Sequence, residues 1–143
     1  MLNEEVRKIM TKDPVIANPE DSIFSITELM TEKKLQQIPV VQEGKLVGLV
    51  TSFDLWKNAN QPNYSTSNPV ESIMNKNILV IAPKDKVGTA AELFIDRRFK
   101  TLPVVNLDNE LKGVVTAFDV IKHVFKKEYP TPILYKEVLE ETP

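Results

Sequence analysis

The sequence predicts an α+β protein built from two β-α-β-β-α units that are related by a pseudo-twofold axis and packed sheet to sheet. The first observation behind this prediction is an internal repeat: Pro19 recurs as Pro83, 64 positions later, and Asp54 recurs as Asp119, at a spacing of 65. The second is that each repeat alternates short β-branched runs with apolar residues at helical spacing. A unit of roughly 60 residues has too little core to be stable alone, so each copy is expected to bury the other's open sheet face.

The elements of the first repeat follow from its local patterns. Pro14-Val15-Ile16-Ala17 is an extended run that Asn18-Pro19 stops. The apolar residues that follow lie at helical spacing and predict a helix: Ile23, Ile26, Leu29 and Met30. Glu43-Gly44 is typical of a hairpin turn, here between predicted strands at 37–41 and 46–51. A closing helix is predicted at 52–57.

The second repeat predicts the same elements in the same order: 78–81, 87–99, 101–105, 111–116 and 117–127. The chain is thus predicted to divide into repeat 1 (1–58), a polar linker (59–69), repeat 2 (70–127) and a C-terminal tail (128–143). Pro130 and Pro132 break the last helix, and the apolar residues behind them predict a short amphipathic segment. That segment either packs on the body or a second subunit, or serves as a lid or a partner-docking segment.

One motif, Gly-x-x-Thr-x-x-Asp, occurs in both copies, at 48–54 and 113–119. Its physical interpretation is a strand that ends at the threonine and turns directly into a helix, with Thr51 and Thr116 as N-caps. The start of a helix suits a phosphate, and the carboxylate of Asp54 or Asp119 is suited to accept hydrogen bonds from a sugar diol. The alternative is a capping box, in which the aspartates merely complete the helix start. Trp56, beside the first motif, is interpreted as a core residue rather than a base-stacking platform.

Composition argues against several classes of protein. The formal net charge of −2 attracts neither nucleic acid nor an anionic membrane, and no run approaches the roughly 18 apolar residues of a membrane span. With no cysteine and one histidine, the chain lacks the ligands for a transition-metal site of ordinary spacing, and no residue is predicted to be catalytic. The N-terminal residues do not resemble a signal peptide. Together with the absence of cysteine, this predicts a cytoplasmic protein.

The combination of motifs resembles a tandem pair of CBS (cystathionine-β-synthase) domains, also called a Bateman module. The features that carry the resemblance are Ile9-Met10 and Ile73-Met74, the Pro-x-Asp before each first helix, the Pro-Val-Val strand and the Gly-x-x-Thr-x-x-Asp motif. They span about 6–125, and they are specific in combination. The resemblance implies that one or both clefts between the repeats bind an adenosine-containing ligand.

Residue by residue, the resemblance implies two clefts that each draw on both repeats. One cleft would combine the first motif with residues of the second repeat: Thr51, Asp54, Ile78, Leu79, Phe99, Lys100 and Thr101. The other would combine the second motif with residues of the first repeat: Thr116, Asp119, Pro14, Val15, Leu35, Gln36 and Gln37.

The two residues just before each Ile-Pro-Val or Leu-Pro-Val strand differ from those of the family's phosphate-binding members. The regulatory subunit of AMP-activated protein kinase has His-Arg there, whereas this chain has Gln36-Gln37 and Lys100-Thr101. Lys100 is able to make a charge-assisted contact to phosphate, so its cleft is the expected nucleotide site. The cleft with the two glutamines is expected to take a ligand with less negative charge, or none.

The resemblance therefore implies a regulatory module that senses AMP, ADP, ATP or a compound like S-adenosylmethionine, without catalysis, and that forms a homodimer. The sequence leaves open whether Mg²⁺ accompanies a polyphosphate and which protein is regulated. Two alternatives remain: a nucleotide-free dimerisation or interaction scaffold, and an enzyme acting on a nucleotide. Nucleotide-dependent thermal shifts separate sensor from scaffold, and product formation identifies an enzyme.

Overall fold

A computed structural model describes residues 1–97 and 100–128 of the 143-residue chain. The chain forms two compact units that are interleaved in sequence. The first-repeat unit consists of Val15–Leu79 with Asp108–Leu111, and the described part of the second-repeat unit consists of Met1–Pro14, Val80–Leu107 and residues 112–128. The first 14 residues therefore pack with the second repeat, not with the repeat that follows them in sequence. None of the helices among the described residues is long and apolar enough to span a membrane.

The first-repeat unit is built on one antiparallel hairpin and its flanking helices. Its elements are helix α1 (Ile23–Lys33), strands β1 (Gln37–Gln42) and β2 (Lys45–Thr51), helix α2 (Ser52–Asn58) and a 3₁₀ turn at Val70–Ser72. The predicted turn is confirmed, because Glu43 and Gly44 both have positive φ, 52° and 80°, as a two-residue hairpin turn requires. The strand register places Gln37 opposite Thr51, with an irregularity between Val40 and Val41.

Helix α1 begins at the predicted position because Ser22 caps it. The Ser22 hydroxyl accepts a hydrogen bond from the Ser25 backbone at 3.0 Å, and Lys34 ends the helix in the left-handed conformation. The helix buries Ile23, Ile26 and Met30. With the hairpin and the 3₁₀ turn, it forms an apolar core whose buried members are Ala17, Ile26, Met30, Ile38, Val40, Val50 and Val70.

The second-repeat unit repeats this plan. Its elements are a 3₁₀ turn at Val6–Lys8, helix α3 (Val87–Arg97), strands β3 (Thr101–Val105) and β4 (Leu111–Thr116), and helix α4 (Ala117–Glu128). The N-terminal segment satisfies backbone donors at the start of α3, since Glu4 O accepts from Val87 N and Leu2 O from Gly88 N, each at 2.8 Å. The buried core of the unit contains Val6, Ile81, Val87, Ala90, Phe94, Leu102, Val104, Val115 and Val120.

The predicted first strand of each repeat is wrong as a regular strand. Among residues 1–97 and 100–128, each regular sheet has two strands, β1 with β2 and β3 with β4. The extended runs add only isolated parallel bridges, Ala17 to Val40 and Ile81 to Val104. The physical reason is that a proline two residues later, Pro19 or Pro83, lacks an N–H and ends the pairing at once.

Candidate functional site

The first motif forms a complete capping box at the junction of β2 and α2. The Thr51 hydroxyl oxygen accepts a hydrogen bond from the Asp54 backbone at 3.0 Å. In return, Asp54 Oδ2 accepts from the Thr51 backbone N–H and from its hydroxyl, each at 2.9 Å. Both side chains are half-buried. The capping-box alternative is therefore confirmed for this copy.

The second motif has the same geometry at the junction of β4 and α4. Asp119 N donates to the Thr116 hydroxyl oxygen at 3.0 Å, and Thr116 N donates to Asp119 Oδ2 at 2.8 Å. In both copies the aspartate accepts the hydrogen bonds of the capping box through Oδ2, and Oδ1 takes no part in the box. Capping and sugar binding are therefore compatible roles, because the box holds the carboxylate in place through one oxygen and leaves the other to a ligand.

The second carboxylate lies in a less hydrated setting than an ordinary surface aspartate. Burial raises the pKa of Asp119 above the ordinary value of 3.8, while the hydrogen bonds from Thr116 and the positive charge of Lys122 act in the opposite direction. The net effect is that the ionised carboxylate is destabilised relative to water. A ligand that donates hydrogen bonds to it would offset part of that cost.

In the first-repeat unit, two glutamines lie beside the first motif. Gln36 O accepts a hydrogen bond from Ser52 N at 2.8 Å, which ties the start of β1 to the start of α2. Gln37 is the cross-strand partner of Thr51, so the two side chains share one face of the hairpin. The resemblance had grouped these glutamines with Thr116 and Asp119. The structure places both of them beside Thr51.

The other predicted site residues of this unit are Val15, Leu35, Ile78 and Leu79. Val15 and Leu35 are half-buried and pack against the unit's core. Ile78 is half-buried and Leu79 is exposed. Apolar residues therefore accompany the first motif within a single compact unit.

In the second-repeat unit, Lys100 lies beside the second motif, because its carbonyl accepts a hydrogen bond from Ala117 N at 3.3 Å. Thr101 begins β3, and Pro14 is also grouped with this unit. Phe99 lies outside the described residues, as does the tail from residue 129 onward. The predicted grouping of each motif with residues of the opposite repeat stays a prediction.

Trp56 was predicted to be a core residue, and this is wrong. Its exposed fraction is 67%, and its ring lies 5.8 Å from that of Phe53 on the same exposed helix. Phe118 and Ile121 occupy the equivalent positions of α4 and are also exposed. Phe53 and Trp56 lie three residues apart, on one face of a seven-residue helix that buries none of its residues.

Among residues 1–97 and 100–128, no three histidine, cysteine or acidic side chains are grouped closely enough to hold a metal ion. The single histidine, His123, is mostly buried on α4, with Nε2 lying 3.2 Å from the Met1 carbonyl and 3.4 Å from the Glu4 carboxylate. These contacts give His123 a structural role in holding the N-terminal segment.

Comparison with known proteins identifies the architecture. The CBS domain family model matches twice, over residues 6–55 and 70–126. The chain belongs to the CBS domain family. The matched ranges include both hairpins and both capping boxes, which is why the two halves repeat the same geometry. The prediction of a tandem CBS pair is thus confirmed.

Curated relatives are longer than this chain. Protein MJ1225 of Methanocaldococcus jannaschii is 28% identical over 132 residues, covering 85% of this chain and 47% of the relative. The inosine-5'-monophosphate dehydrogenase of Aquifex aeolicus is 32% identical over 135 residues, covering 89% of this chain and 26% of the enzyme. The chain therefore spans about half or less of the relatives it matches here.

Solved CBS pairs share the fold. CBSX2, in a complex with AMP, aligns with a TM-score of 0.81 at 28% identity, covering 87% of this chain and 98% of CBSX2. The CBS pair of protein MJ0100, in a complex with 5'-methylthioadenosine and S-adenosyl-L-methionine, aligns with a TM-score of 0.73 at 28% identity, covering 87% and 97% of the two chains. Both neighbours carry adenosine compounds.

Proposed function

We propose that this CBS pair is a non-catalytic regulatory module whose Thr51–Asp54 and Thr116–Asp119 motifs bind an adenosine-containing small molecule. The observation that carries the proposal is the duplicated capping box, which positions a carboxylate while leaving its Oδ1 outside the box. A ribose offers two vicinal hydroxyl donors, and a carboxylate oxygen that is already held in place binds them at little entropic cost. The complexes of CBSX2 with AMP and of MJ0100 with two adenosine compounds support the ligand class.

The second motif is the better phosphate site of the two. It begins the 12-residue helix α4, and Lys100 lies beside it through the bond from Ala117 N. The side chain of Lys100 carries an ammonium, which is able to make a charge-assisted contact with phosphate. We therefore propose that AMP, ADP or ATP, with or without Mg²⁺, binds at the second motif, which differs from the grouping of Lys100 with Thr51 and Asp54 that the family resemblance implies.

Isothermal titration calorimetry tests the proposal with AMP, ATP, S-adenosylmethionine and 5'-methylthioadenosine. Asp54→Asn and Asp119→Asn keep an oxygen for the capping bond but replace the other oxygen with a donor. Each variant is expected to weaken binding at its own motif by about tenfold or more, the loss of roughly 1.4 kcal/mol.

Matched controls are available in the same units. Asp21 and Asp85 accept similar local hydrogen bonds, from the backbone N–H groups of Asn18 and Ala82 at 2.8 Å, but lie outside the two Gly-x-x-Thr-x-x-Asp motifs. Asp21→Asn and Asp85→Asn are expected to leave affinity unchanged. If none of the four compounds binds, or if both motif variants bind as the wild type does, the proposal is wrong.

The scaffold alternative is favoured by one observation, the exposed apolar residues on α2 and α4: Phe53, Trp56, Phe118, Ile121 and Phe125. Exposed apolar helix faces are typical of association surfaces. We propose that they pair two copies of this chain as a homodimer. Analytical ultracentrifugation of Trp56→Glu and Ile121→Glu, with Lys57→Glu as a control, is expected to show dissociation of the first two variants only. A wild-type monomer would exclude the homodimer.

A further inference from the structure

The methionine that follows each 3₁₀ turn lies directly against the glycine that opens a Gly-x-x-Thr-x-x-Asp motif. A Cβ added at Gly48 would meet Met74 at Sδ, at Cγ (2.8 Å) and at Cε (3.0 Å). A Cβ added at Gly113 would lie 3.0 Å from Met10 Sδ and 3.2 Å from its Cγ. Each sulfur therefore takes up the space that a methyl group on the glycine would need, and a further heavy atom does not fit between the sulfur and the strand.

A pair of backbone hydrogen bonds fastens each methionine segment to the strand of its motif. Leu49 N donates to Asn75 O, and Asn75 N donates to Leu49 O, each at 2.9 Å. In the second-repeat unit, Thr11 and Val114 exchange the equivalent bonds, at 2.8 Å and 3.0 Å. These residues directly follow the methionine and the glycine in sequence, so a methionine that moves away from its glycine strains this pairing.

The strand carries a displacement at the glycine to the ligand motif. Gly48 lies three residues before Thr51, which is about 10 Å along β2. Thr51 forms the capping box with Asp54. Met74 also packs against the apolar core of the first-repeat unit, as Met10 does in the second-repeat unit. A change in the chemistry of either sulfur therefore affects both a core and a motif.

Methionine is the residue at which this chain is open to oxidation at sulfur, because it contains four methionines and no cysteine. Met10 and Met74 are half-buried, so a small oxidant such as hydrogen peroxide can reach them. Met30, in contrast, is 6% exposed within a core, and Met1 is exposed at the chain's start. Oxidation converts the apolar thioether into a polar sulfoxide with one additional oxygen.

We propose that Met10 and Met74 are modification sites whose oxidation by peroxide loosens the strands of the two motifs. The peroxide O–O bond breaks, one oxygen bonds to Sδ and the other leaves as water, so the sulfur loses the two electrons that the peroxide gains. The sulfoxide oxygen is a strong acceptor in an apolar setting and has no room against the glycine, so the side chain leaves its place. A dithiol reductase reverses the step, releasing the oxygen as water and forming a disulfide in the reductase.

The effect is larger at Met74, because its side chain from Cγ to Cε lies against Gly48. The consequence for ligand binding rests on the proposed adenosine site. The oxidation and its effect on the strands do not.

The modification is tested by treating the full chain with hydrogen peroxide and mapping its peptides by mass spectrometry over time. Met1 is expected to be oxidised first, Met10 and Met74 next, and Met30 last, in the order of their exposure. Oxidation of Met10 and Met74 no faster than that of Met30 would overturn the proposal.

Amide hydrogen exchange tests the effect on the strand without any ligand. Peroxide is expected to accelerate exchange at Leu49 and Asn75 by about tenfold or more, because their mutual hydrogen bonds open more often. Met74→Leu, of similar volume and without sulfur, is expected to fold and to keep this exchange slow after the same treatment. Unchanged exchange in a wild-type chain whose Met74 is fully oxidised would show that the sulfoxide is accommodated, and the proposal would be wrong.

Calorimetric titration with AMP and with 5'-methylthioadenosine measures the effect on binding. Peroxide treatment is expected to weaken binding about tenfold, and methionine sulfoxide reductase with a dithiol is expected to restore it. A chain that carries both Met10→Leu and Met74→Leu should bind equally well before and after treatment. An equal loss in that variant would mean that another side chain is responsible.

The outcomes separate this proposal from the proposed function. If neither compound binds the untreated chain, the adenosine site is wrong, and amide exchange still decides whether the two methionines control the strands. If both compounds bind and full oxidation of both methionines leaves their affinities unchanged, the adenosine site stands and its coupling to peroxide is wrong.

Discussion

The glycine that opens each motif provides a sharp test of the structure, because the two copies are confined by different neighbours. A Cβ added at Gly113 would lie 2.6 Å from the backbone carbonyl oxygen of Thr11. A Cβ added at Gly48 would instead meet the side chain of Met74, from Cγ to Cε. We predict that Gly113→Ala destabilises the protein more than Gly48→Ala does, although the residues are equivalent in the repeat.

The size of each destabilisation depends on whether the atoms next to the added Cβ can move away. At Gly113 the carbonyl must retreat by at least 0.4 Å, the difference between 3.0 Å and 2.6 Å. Thr11 is held by two backbone hydrogen bonds, from Thr11 N to Val114 O at 2.8 Å and from Val114 N to Thr11 O at 3.0 Å. Overpacking of about 1–3 kcal/mol and damage to a bond worth about 1 kcal/mol together give a loss of roughly 2–4 kcal/mol. Met74 has several rotatable bonds and can move aside, so Gly48→Ala should cost only about 1 kcal/mol, the lower end of the overpacking range.

Urea unfolding followed by circular dichroism measures both losses, with far-UV spectra to verify the folds. A double-mutant cycle adds a mechanistic check. Met74→Ala should relieve much of the cost of Gly48→Ala, whereas Met10→Ala should not rescue Gly113→Ala, because the Thr11 carbonyl remains in place. Equal losses in the two glycine variants, or rescue of Gly113→Ala by Met10→Ala, would refute the reasoning.

Three further predictions concern the capping boxes and the ionisable groups. Thr51→Val removes the cap of α2 and should cost about 1 kcal/mol of unfolding free energy in urea, whereas Thr31→Val, on the exposed face of α1, should cost less. Burial raises the pKa of Asp119, so the ionised carboxylate opposes folding at neutral pH. This penalty decreases as the pH falls through the raised pKa and is gone below 3.8. Asp119→Asn should abolish this part of the pH dependence of the melting temperature. Desolvation tends to raise the pKa of Glu4, but Lys127, His123 and the N-terminus lower it on balance. The ionised Glu4 therefore stabilises the fold above pH 4.5, and this stabilisation is lost as the pH falls through the lowered pKa. Lys127→Ala should make this loss of stability smaller in acid melting curves.

The sequence by itself determined the elements that depend on local chemistry. The hairpin turn at Glu43-Gly44, the cap at Ser22 and both Thr–Asp boxes need only neighbouring residues, and each was predictable from residue type and spacing. The turn alone does not set the whole register: a two-residue turn would pair Gln37 with Val50, and the irregularity between Val40 and Val41 shifts the pairing so that Gln37 lies opposite Thr51.

Tertiary structure alone decided the features that depend on distant parts of the chain. The N-terminal segment packs with the second repeat because its backbone satisfies donors at the start of α3, more than 80 residues away. The extended runs contribute isolated bridges because prolines halt their pairing, and Trp56 is exposed because α2 packs without burying that face. Within the described part of the chain, Gln37 Oε1 is buried without a hydrogen-bond partner, and this too required coordinates, since whether a buried atom has a partner depends on everything folded around it.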